Sequence, residues 1–181
     1  EEKEGDSSKE VALTGVDAPL TEALKIETIR LELGYGILPL LNQENGNRLT
    51  EQIKSLRQQL AKELGFILPS VRIQDNVALS NHGYRILIKE IECGNGEVKP
   101  GKLMIMNPSG NKIDMQGEPT TEPAFGLPAM WVDESMREAA MVKNYTVVDP
   151  STVITTHLTE ISKDNIGELL NYSEVQKLLA E

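Results

Sequence analysis

The sequence predicts an α+β fold: a mixed α/β subdomain carrying a small β-rich insertion. Three observations lead there. Residues 28–33 alternate apolar and polar, with Ile29, Leu31 and Leu33 on one face, as a half-buried strand does. Residues 47–64 repeat Leu49, Ile53, Leu56, Leu60 and Leu64 at three- and four-residue steps, the period of an amphipathic helix. Beyond Gly94 the texture changes. Gly94, Gly96, Pro100, Gly101, Pro108, Gly110 and Gly117 punctuate short apolar pieces such as 103–106, the pattern of short strands joined by tight turns.

Along the chain, residues 1–27 read as an acidic flexible linker. Glu1, Glu2, Glu4, Asp6 and Glu10 crowd its start, and Val11, Leu13, Val16, Leu20 and Leu24 are too sparse to build a core. After the first strand, Gly34 and Gly36 bracket Tyr35 and free the backbone to turn. The helix at 47–64 stops at Gly65. Its outer face, with Arg48, Lys54, Arg57, Gln58 and Lys62, is either a solvated surface or a strip for an acidic partner. Residues 71–75 and 84–91 read as strands, and Asn81-His82-Gly83 as a turn able to close them into a hairpin. Asp133 can cap a short helix through Met141, and 145–148 return to strand. Asp149 followed by Pro150 opens a helix whose Val153, Ile154, His157, Leu158 and Ile161 form one stripe. A last helix starts at Ser173 and the chain ends soon after, as a piece of a longer protein would; the start, acidic and without methionine, suggests the same.

Composition excludes several function classes. Acidic residues outnumber basic ones 28 to 18, a net charge of −10, which argues against nucleic acid as a partner. The one cysteine, Cys93, allows neither an internal disulfide nor a cysteine-rich zinc site. No window approaches the roughly 18–20 apolar residues that span a bilayer. There is no phosphate-binding glycine loop and no dinucleotide fingerprint, since Gly34-Tyr35-Gly36 lacks a third glycine. His82 and His157 have no metal-ligand partner at helical spacing. A triad of His157, Ser151 and Glu160 can be written on paper, but the glycine-flanked nucleophile turn is missing. His157 sits on an apolar stripe, where a satisfied core or groove-edge histidine is the simpler reading. Neither an enzyme nor a cofactor is expected.

The stretch 117–131 holds three of the nine prolines, one of two phenylalanines and the only tryptophan. Its prolines argue against a regular helix or a central strand, so it is expected to run extended over a surface. Phe125 then has two readings. The ring is buried as an anchor under the insertion, or it lines a groove walled by Pro123, Leu127, Pro128 and Met130 with Glu122 as a polar rim. Pattern leaves both open. Grooves of the second kind accept an amphipathic helix or a short apolar motif from a partner.

Several motifs in order carry a resemblance. They are Leu-Glu-Leu-Gly-Tyr-Gly at 31–36, Leu-Gly-Phe-Ile-Leu-Pro-Ser-Val-Arg-Ile-Gln-Asp-Asn at 64–76, and Tyr-Arg-Ile-Leu-Ile-Lys at 84–89. Glu-Pro-Thr-Thr-Glu-Pro-Ala-Phe-Gly-Leu-Pro-Ala-Met-Trp at 118–131, Thr-Val-Ile-Thr-Thr-His-Leu at 152–158 and Glu-Val-Gln-Lys-Leu-Leu at 174–179 complete them. Over about 28–181 the chain resembles the cytoplasmic part of the FlhA/LcrD (FHIPEP) family, in its flagellar form more than its injectisome form.

The resemblance implies the cytoplasmic part of a bacterial inner-membrane protein that forms a homo-oligomeric ring under an export channel. It implies a first subdomain at 28–100 and 149–165, interrupted by a second at 101–148, with 166–181 beginning a truncated helical third. Export chaperones with bound substrates would dock on Glu122, Phe125 and Thr156, with Pro123 and Leu127 beside them, and Gly34 would serve as a hinge. The family's acidic position is often aspartate; this chain carries glutamate, one methylene longer. Other soluble export components would be reached through the linker. The alternatives are a structural scaffold of the export ring without chaperone contact, or an injectisome homologue.

Overall fold

The computed structural model describes residues 28–41 and 48–169. Its mixed helix and sheet content is the α+β class expected. Strand β1 (Ile29–Leu33) lies inside the first sheet, with Ile29, Leu31 and Leu33 fully buried. The chain leaves it through a 3-10 segment (Tyr35–Leu41) and helix α1 (Arg48–Leu64), then forms β2 (Val71–Asp75) parallel to β1. Leu49, Ile53, Leu56 and Leu60 of α1 are all buried. Gly65, at φ +75°, closes the helix. Arg57 departs from the solvated face expected of it: it is half-buried and donates to the Leu68 carbonyl at 3.0 Å, tying the segment after α1 back to the helix.

The hairpin expected across residues 81–83 does not form. β3 (Gly83–Ile88) pairs antiparallel with β1, not with β2, so the two flank β1 on opposite sides. The helical crossover explains this, because it brings β2 back parallel and leaves the other edge of β1 for β3. The strand expected over 84–91 is also two strands. Lys89 and Glu90 both have positive φ, 48° and 66°, and reverse the chain into β4 (Ile91–Glu97). The turn carries neither Asn nor Gly, the usual signal for this geometry. Arg30 holds it in place, its guanidinium 3.0 Å from the Glu90 carboxylate.

Gly94 and Gly96 therefore belong to β4 of the first sheet, opposite Ile86 and Tyr84. A Cβ on Gly94 would lie 2.2 Å from the Ile161 Cδ1, and one on Gly96 2.7 Å from the Tyr84 hydroxyl. Both glycines are thus spaces for neighbouring side chains.

The second sheet contains β5 (Lys102–Met106), β6 (Glu118–Thr121), β7 (Pro128–Asp133) and β8 (Thr146–Val148) in the order β6-β7-β5-β8. The stretch 117–131 is thus a β-hairpin, not an extended surface run. The prolines sit where a ladder tolerates them: Pro119 on the edge strand β6 and Pro128 at the first residue of β7. β7 is central, and Trp131 is 3% exposed within it. Side chains alternate along both central strands. Met104, Ala129 and Trp131 join the core of the first sheet, while Leu103, Ile105 and Val132 pack on the other side with Ile113 and Ala140.

Asp133 caps a 3-10 turn (Glu134–Met136) that runs into α2 (Arg137–Val142). After β8, Asp149 accepts from the Thr152 N–H at 2.8 Å and opens α3 (Pro150–Asp164). The expected stripe of α3 is buried throughout, and the helix returns to pack against α1 and β4. The first sheet ends at Glu97, the second begins at Lys102, and one core joins them. The linker at 1–27, the helix expected from Ser173 and most of the third-subdomain segment lie outside the described residues.

Candidate protein-docking site

The turn joining β6 to β7 is built like a single helical turn. The Glu122 N–H donates to the Leu127 carbonyl and the Gly126 N–H to the Glu122 carbonyl, both at 2.8 Å, with Gly126 at φ +70°. The Glu122 side chain points inward and is 3% exposed as a residue. Its Oε1 accepts from the Ala124 N–H at 2.9 Å and its Oε2 from the Phe125 N–H at 2.8 Å. This is the work of an N-cap, followed by proline where a missing N–H costs nothing. A turn held this way pushes its third residue outward. Phe125 is 58% exposed and Leu127 48%.

Beside the turn lies a pocket of about 350 Å³. Phe125, Leu127 and Pro128 form one wall, Met106 and Val148 the ends of two strands, and Val153 and Thr156 the facing side of α3. Glu122, Asn107 and Thr146 add polar groups. Thr156 is half-buried. Its neighbours Thr155 and Thr159 donate to carbonyls one turn back, at 2.7 and 2.8 Å. The Thr156 hydroxyl has no such bond among the described residues and remains open to a ligand.

Four of the expected site residues thus meet: Glu122, Phe125, Leu127 and Thr156. Pro123 is not with them. It faces a separate polar groove shared with Trp131, Lys99 and Glu118. Met130, expected as a wall, points to the second core. Glu122 lines the pocket but spends both carboxylate oxygens on the backbone, so it holds Phe125 in place more than it forms a free rim. Gly34 lies elsewhere, donating to the Gly83 carbonyl at 2.7 Å. Sequence reasoning missed Met106 and Val148. Both were legible as strand residues, but nothing local said that these strand ends would converge beside α3.

The family model for the FHIPEP family matches residues 1–181, the whole chain. The chain belongs to the FHIPEP family. The flagellar biosynthesis protein FlhA of Caulobacter vibrioides is 54% identical over 165 residues, 91% of this chain and 24% of that protein. The chain therefore spans about a quarter of the length of that curated relative. The Chlamydia pneumoniae CdsV protein, solved in complex with CdsO, superposes with a TM-score of 0.70 at 23% identity, covering 86% of this chain and 49% of that one. The nonameric SctV-C of EPEC gives 0.55 at 15% identity, covering 86% and 45%. At those identities the likeness is one of fold.

In this FHIPEP chain a buried polar pair lies within electrostatic reach of Glu122. Tyr84 and His157 meet edge to face, and the Tyr84 hydroxyl is 2.8 Å from His157 Nδ1. Burial pushes the Tyr84 hydroxyl well above the usual phenol range, and the Glu122 carboxylate adds to the shift. Burial also holds His157 below the ordinary histidine value, against an opposing pull from Glu122. Both groups are therefore neutral near pH 7 and share one hydrogen bond, whose direction follows the imidazole tautomer. His157 shares no hydrogen bond with Ser151 or Glu160 among the described residues, so the paper triad is not assembled.

On the outer side of the first sheet, Glu32 is 4% exposed and bonded by Arg85 Nε at 2.7 Å, Arg30 Nε at 3.1 Å and Asn76. Arg85 above all holds its carboxyl below the usual range. Among the described residues no cluster of His, Cys, Asp and Glu could hold a metal, and no helix is long and apolar enough to cross a membrane.

Proposed function

We propose that this chain is a non-catalytic docking platform of flagellar type III protein export, receiving export chaperones with bound substrates and passing those substrates towards the export channel. The observation that carries the reading is Phe125, more than half exposed over an apolar pocket and faced by the open hydroxyl of Thr156. A large aromatic held in water by a capped turn gives up contacts that a partner can restore. Phe125 anchors an apolar side chain of the chaperone, Thr156 orients it, and Glu122 keeps the ring in position. Identity of 54% to a flagellar FlhA, against 15–23% to the CdsV and SctV-C chains, supports the flagellar over the injectisome reading.

The same reading places the chain in the cytoplasm as part of an inner-membrane protein, in a homo-oligomeric ring of the kind SctV-C forms. Further soluble export components reach it through residues 1–27. Micromolar affinity, about −8 kcal/mol, suits a partner that must also leave. Titration with a substrate-loaded flagellar export chaperone tests the proposal. Phe125→Ala should weaken binding tenfold or more. Because the ring is mostly in water, the substitution should cost only about 1 kcal/mol of stability, well below the roughly 3–5 kcal/mol of a buried phenylalanine. Unchanged affinity would favour a scaffold with no chaperone contact.

A further inference from the structure

All six methionines of the chain lie between positions 104 and 141, in the second sheet and the turns and short helix attached to it. The first sheet, α1 and α3 have none. The six stand at three depths. Met104 is fully buried, Met141 is 60% exposed on α2, and the other four are half-buried. Of those four, Met115, Met130 and Met136 pack on the second core. Met106 has a different setting. It is the last residue of β5, on the same face as Met104, and it packs against the main core while lining the pocket beside Phe125.

Met106 is thus the one methionine of the pocket, a thioether partly open to solvent and set in an apolar wall. Phe125, Leu127, Val148 and Val153 line the same space with hydrocarbon alone. What sets a thioether apart from those groups is two-electron oxidation. The sulfur lone pair attacks the distal oxygen of a hydroperoxide, and an S–O bond forms as the O–O bond breaks. Sulfur gives up two electrons. The released oxygen takes the peroxide proton and leaves as an alcohol, or as water when hydrogen peroxide is the oxidant. Two thiols reverse the step, yielding a disulfide and water. The sulfoxide is polar and carries a strong acceptor oxygen, so an apolar side chain entering the pocket must strip water from it.

We propose that Met106 is a modification site: its oxidation by a hydroperoxide to the sulfoxide lowers the affinity of the pocket, and reduction restores it. This extension rests on the docking function proposed above. The other methionines give different signatures. A sulfoxide on Met141 enters water and changes little, whereas one on Met115, Met130 or Met136 loosens the second core and lowers the melting temperature.

The test uses the full chain carrying Cys93→Ser, because that exposed thiol also reacts with peroxide. This parent is treated with hydrogen peroxide in steps. Peptide mass spectrometry reads the sulfoxide at each methionine, thermal melts read the fold, and titration with a substrate-loaded flagellar export chaperone reads the affinity. Affinity is expected to fall about fivefold or more in step with sulfoxide at position 106, at a nearly constant melting temperature. Methionine sulfoxide reductases of both stereospecificities, with a dithiol, should return it. In Met106→Leu, which conserves volume, the ratio of affinities before and after treatment should approach one, whatever the starting affinity. In Met141→Leu the ratio should match that of the parent. Unchanged affinity once Met106 is fully oxidised, or equal losses in Met106→Leu and the parent, would overturn the proposal. So would a Met106 that stays reduced while Met141 is fully oxidised, since the pocket would then shield the sulfur. Losses that track the second-core methionines and a falling melting temperature would assign the effect to that core and also overturn it. An untreated parent that binds no chaperone would overturn the docking function itself, and this extension with it.

Discussion

Replacing Glu122 with alanine removes two acceptors from a turn that then keeps its two backbone hydrogen bonds, Glu122 N–H to the Leu127 carbonyl and Gly126 N–H to the Glu122 carbonyl. The carboxylate is buried and bonds the Ala124 and Phe125 N–H groups at 2.9 and 2.8 Å. Losing a capping side chain costs about 0.5–2 kcal/mol, and a hydrogen bond to a charged acceptor contributes about 1.5–3 kcal/mol. The freed N–H groups lie near the surface, where water can reach them, so the expected cost is about 2 kcal/mol. In a chain of this size each kcal/mol lowers the melting temperature by about 2–4 °C, giving a fall of about 6 °C. Glu122→Gln, which keeps one oxygen acceptor but adds a donor facing a donor, should lie between wild type and alanine.

Thermal melts read the stability, and amide hydrogen exchange at residues 124 and 125 reads the turn itself. Exchange there should accelerate in Glu122→Ala. Chaperone affinity should fall as well, and the loss should largely vanish in a Phe125→Ala background, because Glu122 acts through the ring it positions. A variant melting within 2 °C of wild type with unchanged exchange would refute the capping argument. Independent, additive losses of affinity would instead mean that Glu122 contacts the partner directly.

Two other perturbations test the frame around the site. Gly34→Ala places a Cβ 2.2 Å from the Ser80 carbonyl oxygen and 2.8 Å from that of Asn81, so the 80–83 loop must move; the melting temperature should drop by 5 °C or more. Altered chaperone binding at unchanged melting temperature would instead favour the hinge role proposed for this glycine. His157 is held neutral when folded, whereas the unfolded chain takes up a proton at an ordinary value near 6.5. The unfolded state thus binds more protons as pH falls through that value, and stability declines down to the lower folded value. Wild type should lose more melting temperature between pH 7.5 and 5.5 than His157→Gln; equal losses would remove the histidine from the account.

Much of this was legible because local signals and tertiary needs agreed. The alternation at 29–33, the leucine spacing of α1 and the Asp149 cap with Pro150 each specify an element by themselves. What escaped depended on distant partners or on substitutes for usual signals. Lys89 and Glu90 make their turn without Asn or Gly, so β3 and β4 read as one strand and an irregular piece. The pairing of β2 and β3 with β1 is decided by the crossover helix, which a scan for adjacent hairpins cannot see. Trp131 looked like part of a surface run because three prolines lie near it, yet Pro128 occupies the one position in β7 that needs no N–H. At the site, the burial of Glu122 ran against the usual exposure of carboxylates. The order acid, proline, two residues, glycine does spell a capped single turn, and that signal could have been used.

The placement of Trp131 gives the molecule a built-in optical reporter. It is the only tryptophan of the chain, lies on the face of β7 that joins both sheets, and also borders the polar groove beside Pro123. Indole emission from this protein therefore comes from one point on the seam, two residues from Ala129 and directly across the ladder from Glu118. Detachment of the second sheet from the first would wet that indole and shift its emission to the red even while both sheets keep their hydrogen bonds. Far-ultraviolet dichroism would not register the event. Comparing the two signals during unfolding thus separates loosening of the seam from loss of the strands, with no label added.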